Sequence, residues 1–465
     1  MKEDTHKKII KWRIQFKMTD RFPTADERWP RNGEVANMKK RIKPSEGNET
    51  FCMAPWTHTY LSPQTERRMC CASREPAQSF KQYIDTGNKA KKYKPLTLKE
   101  HWNSDHMRSV RQRMMSGEKL KECEVCDEKL LNTDVYRSYW NQLFKDKIDE
   151  AFASTDDTGH TTMKTISFDY RFNNLCNFKC RMCGDMLSSS WEAESRKHKN
   201  WNKDSQPWMA SPLREQIKKF QDKQVVQEFV DAVETKQIRE IYWCGGEPLM
   251  WDMHWKSMER IIELGFADKV YVRYNSNLSR TSFRKSNLFD LLGYFQDWQV
   301  CASIDGTGEV GEYIRDGLNY EQWLRNFKEG LSVSTNQRQM RLDFTITLLG
   351  LLELKNMFDL SQKLNTEILT KVMFTFSEEE ILSPLSLPKE LLHDIIDEAL
   401  AYMEPRATYK QRALIDVLKN LKNRETFTAT KKGKLRQLWI DKIRKQDITK
   451  ILSKDKRILE WWKSI

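Results

Sequence analysis

Between Lys164 and Ser377 the chain alternates short β-branched and aromatic stretches with longer amphipathic ones, and this alternation restricts the fold more than any other feature. The stretches KTISFDYRF, IREIYWC, KVYVRYNS, WQVCASIDG, RLDFTITLL and TKVMFTFS read as strands. Segments between them, such as PLREQIKKFQDKQVVQEFVDAVET and WDMHWKSMERIIELGF, carry the apolar spacing of helices. Strand–helix alternation predicts a parallel sheet with right-handed crossovers. Six such units predict an α/β fold, a partial (β/α)6 TIM-like barrel, open and not closed by eight strands. Its chemistry is expected at the C-terminal ends of the strands. Around it, residues 1–50 read as a basic N-terminal extension, 51–150 as a small cysteine-rich module, 160–377 as the barrel and 378–465 as a helical basic C-terminal region. The polar segment FASTDDTGHTT, Phe152–Thr162, reads as a turn-forming linker between module and barrel.

The cysteines are grouped. Cys176, Cys180 and Cys183 fall in NLCNFKCRMCG, directly after the first of the six strands, at C-x3-C-x2-C spacing. Thiolates are soft ligands suited to iron–sulfur clusters or zinc. A [4Fe–4S] cluster normally takes four cysteines, so three leave one iron open to a small molecule. The alternative is a zinc knuckle that borrows a fourth ligand from elsewhere. Cys52, Cys70, Cys71, Cys123 and Cys126 form a second group. Cys52, one of the Cys70–Cys71 pair, Cys123 and Cys126 make four ligands and a closed site, for which a structural zinc ion is again the alternative. Cys244 and Cys301 stand alone and read as buried small hydrophobes. The eight histidines show no ligand spacing, and His101 and His106, near Trp102, read as surface or packing residues.

Three further motifs close successive strands. CGGEP, Cys244 to Pro248, brings two glycines that let backbone approach a ligand and a carboxylate that can accept from an ammonium. NSN, Asn275 to Asn277, follows the third strand, and SIDG, Ser303 to Gly306, the fourth. Ser303 and Asp305 alternate, which puts both on one face. Short polar groups there suit ribose hydroxyls, and Arg315 can pair a carboxylate.

Taken in order, these motifs resemble the radical S-adenosylmethionine (radical SAM) superfamily over roughly Lys164 to Ser377. The resemblance implies that Cys176, Cys180 and Cys183 bind a [4Fe–4S] cluster whose open iron is chelated by SAM. Met182 would lie against adenine, where the family often has an aromatic residue. Gly245, Gly246 and Glu247 would hold the methionyl ammonium, Ser303 and Asp305 the ribose, and Arg315 the carboxylate. Ser276 and Asn277 match the family's Thr-Asn but lack its following Gly. The family's reaction is reductive cleavage of SAM to a 5′-deoxyadenosyl radical that abstracts hydrogen from a substrate. The N-terminal cysteines look like the SPASM and twitch modules that carry an auxiliary [4Fe–4S] cluster. Four ligands fit twitch better, the usual Gly before the second ligand is Thr65 here, and counting from it selects Cys70 over Cys71. That module usually follows the barrel, and here it precedes it.

Enzymes with such modules often modify peptides or proteins, so the expected partners are a peptide or protein substrate and a low-potential electron donor. The chain carries a net charge of +13, and 18 Lys and Arg against 6 Asp and Glu lie between Arg406 and Ile465. A basic region of this kind can bind nucleic acid, which keeps an RNA- or nucleoside-modifying radical SAM enzyme as an alternative. The plainer reading of that region is a solvated helical face. A non-catalytic Zn or Fe–S binding module is the third reading. No apolar run approaches the roughly 20 residues that span a bilayer, and the charged N-terminus lacks a signal-peptide core. A cytoplasmic protein is therefore expected, where thiols stay reduced and metal is favoured over disulfides.

Overall fold

All six expected strands form, most of them shorter than the stretch that signals them. The computed structural model describes residues 40–74, 93–127, 135–198, 211–373 and 381–465. Most of the basic N-terminal extension and the end of TKVMFTFS lie outside the described residues. In chain order the strands are β1 His58–Leu61, β2 Arg67–Arg68, β3 Ser167–Tyr170, β4 Glu240–Trp243, β5 Tyr271–Ser276, β6 Asp297–Ser303, β7 Met340–Ile346 and β8 Ile368–Val372. The expected six are β3 to β8. The other two arise in the cysteine-rich region, where no strand was expected. The chain is mixed α/β, and among the described residues these eight strands make largely parallel sheet, beside two short antiparallel pairs, Lys179–Cys180 with Arg315–Asp316 and Ser282–Phe283 with Ser286–Asn287. Among the described residues no helix is long and apolar enough to cross a membrane.

One unit comprises 1–129, 134–173 and 204–242. In it β3 lies between β1 and β4, parallel to both, with Leu61 opposite Tyr170 and Ser167 opposite Glu240. β2 turns back antiparallel on β1. Ser167 donates to the buried Glu240 carboxylate and sits 2.6 Å from His58 Nδ1, so a polar cluster inside the sheet is satisfied internally. The apolar core gathers Phe51, Trp56, Met107, Val110, Met114 and Trp140. The helix Asp105–Met115 supplies three of these from one face, and it starts where the Ser104 side chain accepts from the Met107 amide. His101 and His106 are buried here as packing residues.

The expected linker is a packed turn. Thr155 pairs with Thr161 and is buried, and its hydroxyl accepts from Trp56 Nε1 at 2.8 Å. Thr155 and Thr161 turn inward, while Asp156, Asp157 and Thr158 stay exposed and shape the turn by local hydrogen bonds. Asp156, for example, accepts from the Thr158 and His160 amides.

The second unit comprises 130–133, 174–203 and 243–465 and holds β5, β6, β7 and β8 side by side, all parallel. Alternation sorts their side chains onto two faces. Val300, Ala302, Leu342, Phe344 and Ile346 make one face mainly apolar and buried, with Ser276 and Thr370 in register on it. Asn275, Cys301, Ser303, Asp343, Thr345 and Lys371 make the other polar, with Lys371 exposed at its end. The basic C-terminal region forms helices, as expected, but several of its charges are not solvated. Lys410 is buried and donates to the Asn365 carbonyl and side chain. Arg444 is 1% exposed.

Candidate functional site

The loop Asn174–Gly184 carries three of the expected ligands, and the next segment of chain holds it in shape. The sequence SSSW, Ser188 to Trp191, opens the helix Ser189–Lys197, with Ser188 capping it through the Trp191 amide. The same four side chains also bind the loop backbone. Ser188 donates to the Phe178 carbonyl at 2.6 Å, and Ser190 to the Cys176 carbonyl at 2.8 Å. Ser189 accepts from the Cys176 amide at 3.1 Å, and Trp191 Nε1 donates to the Cys180 carbonyl at 2.7 Å. Asn174 Nδ2 bridges the Asp185 carbonyl and the Glu192 carboxylate. These residues were not singled out in the sequence. Their signal is a run of capping residues five positions after the third cysteine.

The loop is also clamped from the C-terminal region. Lys179–Cys180 pairs antiparallel with Arg315–Asp316. Arg444 donates to the Lys179 carbonyl at 2.8 Å, pairs Glu194 at 2.7 Å and lies over the Trp191 ring at 4.4 Å. Arg181 lies over Tyr313 at 3.8 Å, pairs Asp441 and donates to Gln437 and Gln446. Asp441 accepts in addition from Tyr313 and from the Ile448 amide, both at 2.7 Å. The chain on either side of the second cysteine is therefore fixed by two buried arginines, Arg444 at Lys179 and Arg181, whose charges are met by carboxylates and rings.

Against this loop lies a polar shelf. Gly246 has φ +56°, and a Cβ there would come within 2.5 Å of the Leu175 carbonyl oxygen, so only glycine allows this approach. The Glu247 amide then donates to that same carbonyl at 2.7 Å. The Glu247 carboxylate is fully buried and accepts from Ser276 Oγ at 2.8 Å, the Asn277 amide at 2.6 Å and the Leu249 amide at 3.0 Å. Burial nevertheless raises its pKa to about 7, with those three hydrogen bonds opposing the shift. Asn277 Nδ2 stands 3.9 Å from Cys176 Sγ. Asp305 and Arg315, expected on ribose and carboxylate, form a buried ion pair at 2.6 Å, and Arg315 Nη1 reaches Cys180 Sγ at 3.8 Å. Gly245 precedes Gly246 in a left-handed turn. Ser303 and Met182 are half-buried, Ser303 in register with Asp343 and Met182 within the loop. The structure thus brings Cys176, Cys180, Glu247, Ser276, Asn277, Asp305 and Arg315 into one connected constellation.

The second cysteine group lies in the other unit. Cys52, Cys70, Cys123 and Cys126 line one pocket, whose walls include Met114, Arg137 and Trp140. Cys71 is half-buried and does not line it. Cys123 and Cys126 share one side of a continuous helical turn, Lys121–Cys123 followed by Glu124–Asp127. Thr65, standing where the family usually has Gly, takes φ +67° in the turn between β1 and β2. The backbone shape that favours glycine is therefore kept, and the threonine side chain reaches the Tyr93 hydroxyl.

The donor chemistry of both groups fits thiolate-bound clusters. Burial pushes the Cys176 thiol up to about 12, with the Glu247 charge adding to it, and raises Cys180 and Cys183 as well. Arg315 opposes the rise at Cys180. Burial raises Cys52 and Cys70 in the same way, while Arg137 favours the thiolate at Cys52. Ligation would thus release protons and neutralise the thiolate charge that burial disfavours. Among the described residues no three His, Cys, Asp or Glu side chains converge on a single metal ion. A cluster distributes its ligands over separate irons and does not require such convergence. Cys301 is buried beside Gln299, whereas Cys244, expected to be buried, is half-buried.

Comparison with known proteins bears on the N-terminal group. Residues 52–127 match the SPASM family, described as an iron–sulfur cluster-binding domain. No curated protein matches the chain. Among solved structures, that of Streptococcus suis SuiB bound to precursor peptide SuiA overlaps 64% of this chain and 69% of its own. Its sequence identity is 12% and its TM-score 0.29, too low to read a shared fold from it. Cys52, Cys70, Cys123 and Cys126 thus all fall within the region that matches the SPASM iron–sulfur domain, as the resemblance to a radical SAM enzyme with such a module implied.

Proposed function

We propose that this chain is a radical SAM enzyme built on a partial barrel, with a SAM-binding [4Fe–4S] cluster on Cys176, Cys180 and Cys183 and an auxiliary cluster on Cys52, Cys70, Cys123 and Cys126. The observation that carries the proposal is the shelf of Gly246, Glu247, Ser276 and Asn277 set against a three-thiol loop. A metal site with a purely structural role has no use for a buried carboxylate held by three donors beside its ligands. Cluster and SAM together would supply one-electron cleavage of the sulfonium and, from it, hydrogen abstraction from a substrate C–H bond. The residues of the chain do the rest. Glu247, ionised, offers its charge to the methionyl ammonium while Ser276 and the Asn277 amide fix its orientation. Arg315 places a positive charge beside Cys180 and favours its thiolate. The SSSW side chains hold the loop carbonyls, so the thiols need not reorganise to bind.

The substrate reading is a peptide or protein, as the SPASM-type module implies for the family. In the C-terminal region Lys419, Lys422 and Arg457 pair with Glu404, Asp397 and Glu398, so part of the basic charge is met within the unit itself. That favours the peptide reading over a nucleic-acid one. The test is 5′-deoxyadenosine formation by anaerobic, iron-reconstituted protein with dithionite and SAM, beside a Cys176→Ala, Cys180→Ala, Cys183→Ala variant. Product from the wild type alone is the expected result. SAM neither bound nor cleaved by iron-loaded wild type would refute the reading.

A further inference from the structure

The polar face of β5 to β8 continues from the cofactor shelf and ends in a pair that the proposed cofactor roles leave unused. Thr345 donates its amide to Asp305 Oδ1 at 2.8 Å, and Asp305 pairs Arg315 beside Cys180. On the same face Asp343 stands in register with Ser303, and Lys371 in register with Thr345. Asp343 is 3% exposed. Its Oδ2 accepts from Asn275 Nδ2 at 2.7 Å and from Lys371 Nζ at 2.8 Å. Its Oδ1 is buried and has no hydrogen-bond partner among the described residues. A buried carboxylate oxygen without a donor is costly, and native structures rarely leave one empty. Lys371, by contrast, keeps 54% of its side chain exposed and uses one ammonium proton on Asp343. The pair therefore offers an unfilled acceptor and unused donors next to each other, at the edge of the site.

The chemistry of the pair selects its ligand. A carboxylate would meet the Asp343 charge, and an ammonium or guanidinium would meet the Lys371 charge. Asp343 and Lys371 together are neutral, and they want a neutral group that both donates and accepts. We infer that Asp343 and Lys371 form a substrate subsite for one amide of a peptide, whose N–H donates to Asp343 Oδ1 and whose C=O accepts from Lys371 Nζ. The inference rests on the reading of the chain as a peptide-directed enzyme and names the residues that would hold the backbone beside the cofactor.

The test is equilibrium dialysis of the full, iron-reconstituted chain against radiolabelled N-acetylalanine N-methylamide, with acetate and methylammonium as competitors. The expected result is saturable binding, at least tenfold weaker in Asp343→Asn and in Lys371→Met, with neither ion displacing the amide. Lys371 is half exposed, so its variant keeps the test valid even if Asp343→Asn proves unstable on melting. Binding unchanged in Lys371→Met, displacement by acetate, or no saturable binding by folded wild type would each overturn the subsite. 5′-Deoxyadenosine formation, measured on the same preparation, keeps the two readings apart. Amide binding by a chain that neither binds nor cleaves SAM would remove the radical SAM reading and leave the subsite, and SAM cleavage without amide binding would remove the subsite alone.

Discussion

The two cysteine centres solve the same problem by different means. The N-terminal set draws Cys52, Cys70 and the Cys123–Cys126 turn from three separated stretches into a pocket walled by core residues. Its four thiols close the ligand set, and the apolar core around Met114 and Trp140 positions them. The other set lies on one short loop, whose main chain is held chiefly by polar groups beside the buried Phe178 and Trp191. Serine hydroxyls, an indole N–H and the buried Arg444 hold its backbone from outside, and the loop's own Arg181 reaches out to Asp441 and Gln437. A closed centre can be built by folding a core around it. An open one must keep a vacancy facing a ligand, so its support comes from behind, through polar groups that fix main chain and leave the thiols free.

The largest test of this contrast is to remove one centre and count the other. Cys176→Ala, Cys180→Ala, Cys183→Ala should lose all the iron of the loop centre and keep the auxiliary iron, as read by iron per chain and cluster absorbance. Cys70→Ala should do the reverse, and Cys71→Ala should change neither. Loss of all iron in the loop variant would mean the centres are not independent.

A smaller but still large effect is expected at the clamp. Arg444→Met removes the bidentate partner of Glu194 and leaves it only Lys179 at 2.9 Å, a loss of charge-assisted hydrogen bonds that costs about 1.5–3 kcal/mol. The loop centre should then lose iron to a chelator at least tenfold faster, while the auxiliary centre keeps its rate. Equal acceleration at both would show general destabilisation and break the contrast.

The pH dependence of the apoprotein sharpens it further. Glu247 has a pKa near 7 in the folded chain, above the ~4.3 of an exposed glutamate. The stability it contributes is therefore full below pH ~4.3 and lost as pH rises through 7, by about 3 kcal/mol in all. Glu247→Gln should flatten that fall in thermal melts between pH 5 and 8. An unchanged slope would place the titration elsewhere. The smallest effect belongs to Ser188→Ala, which removes a helix cap and a bond to the loop and costs about 1 kcal/mol.

How far the sequence carried this description depended on the range of each interaction. Strands β3 to β8 were legible because alternation and β-branching act locally. The three-cysteine loop, Gly246 and Glu247 were legible because their chemistry is packed into a few residues. β1 was not, since HTYL is short and its pairing with β3 joins His58 to Ser167 across more than a hundred positions. Thr65 read as a departure from a glycine position, and only the backbone shows that the left-handed turn survives it. The pairing of Asp305 with Arg315 was likewise hidden, because both residues were read one at a time as ligand contacts. The clamp was the least legible part. Arg181 and Asp441 are 260 positions apart, and a count of charges made the C-terminal region a solvated face.

That separation has a consequence in biosynthesis. Arg181 leaves the ribosome 260 residues before Asp441, which at about 5–20 residues per second is an interval on the order of 10–50 s. During translation the nascent loop already bears its thiols, while the helix that will lock it has not been made. Iron delivered in that interval would meet an unlatched loop, and completion of the chain would then shut the latch behind it.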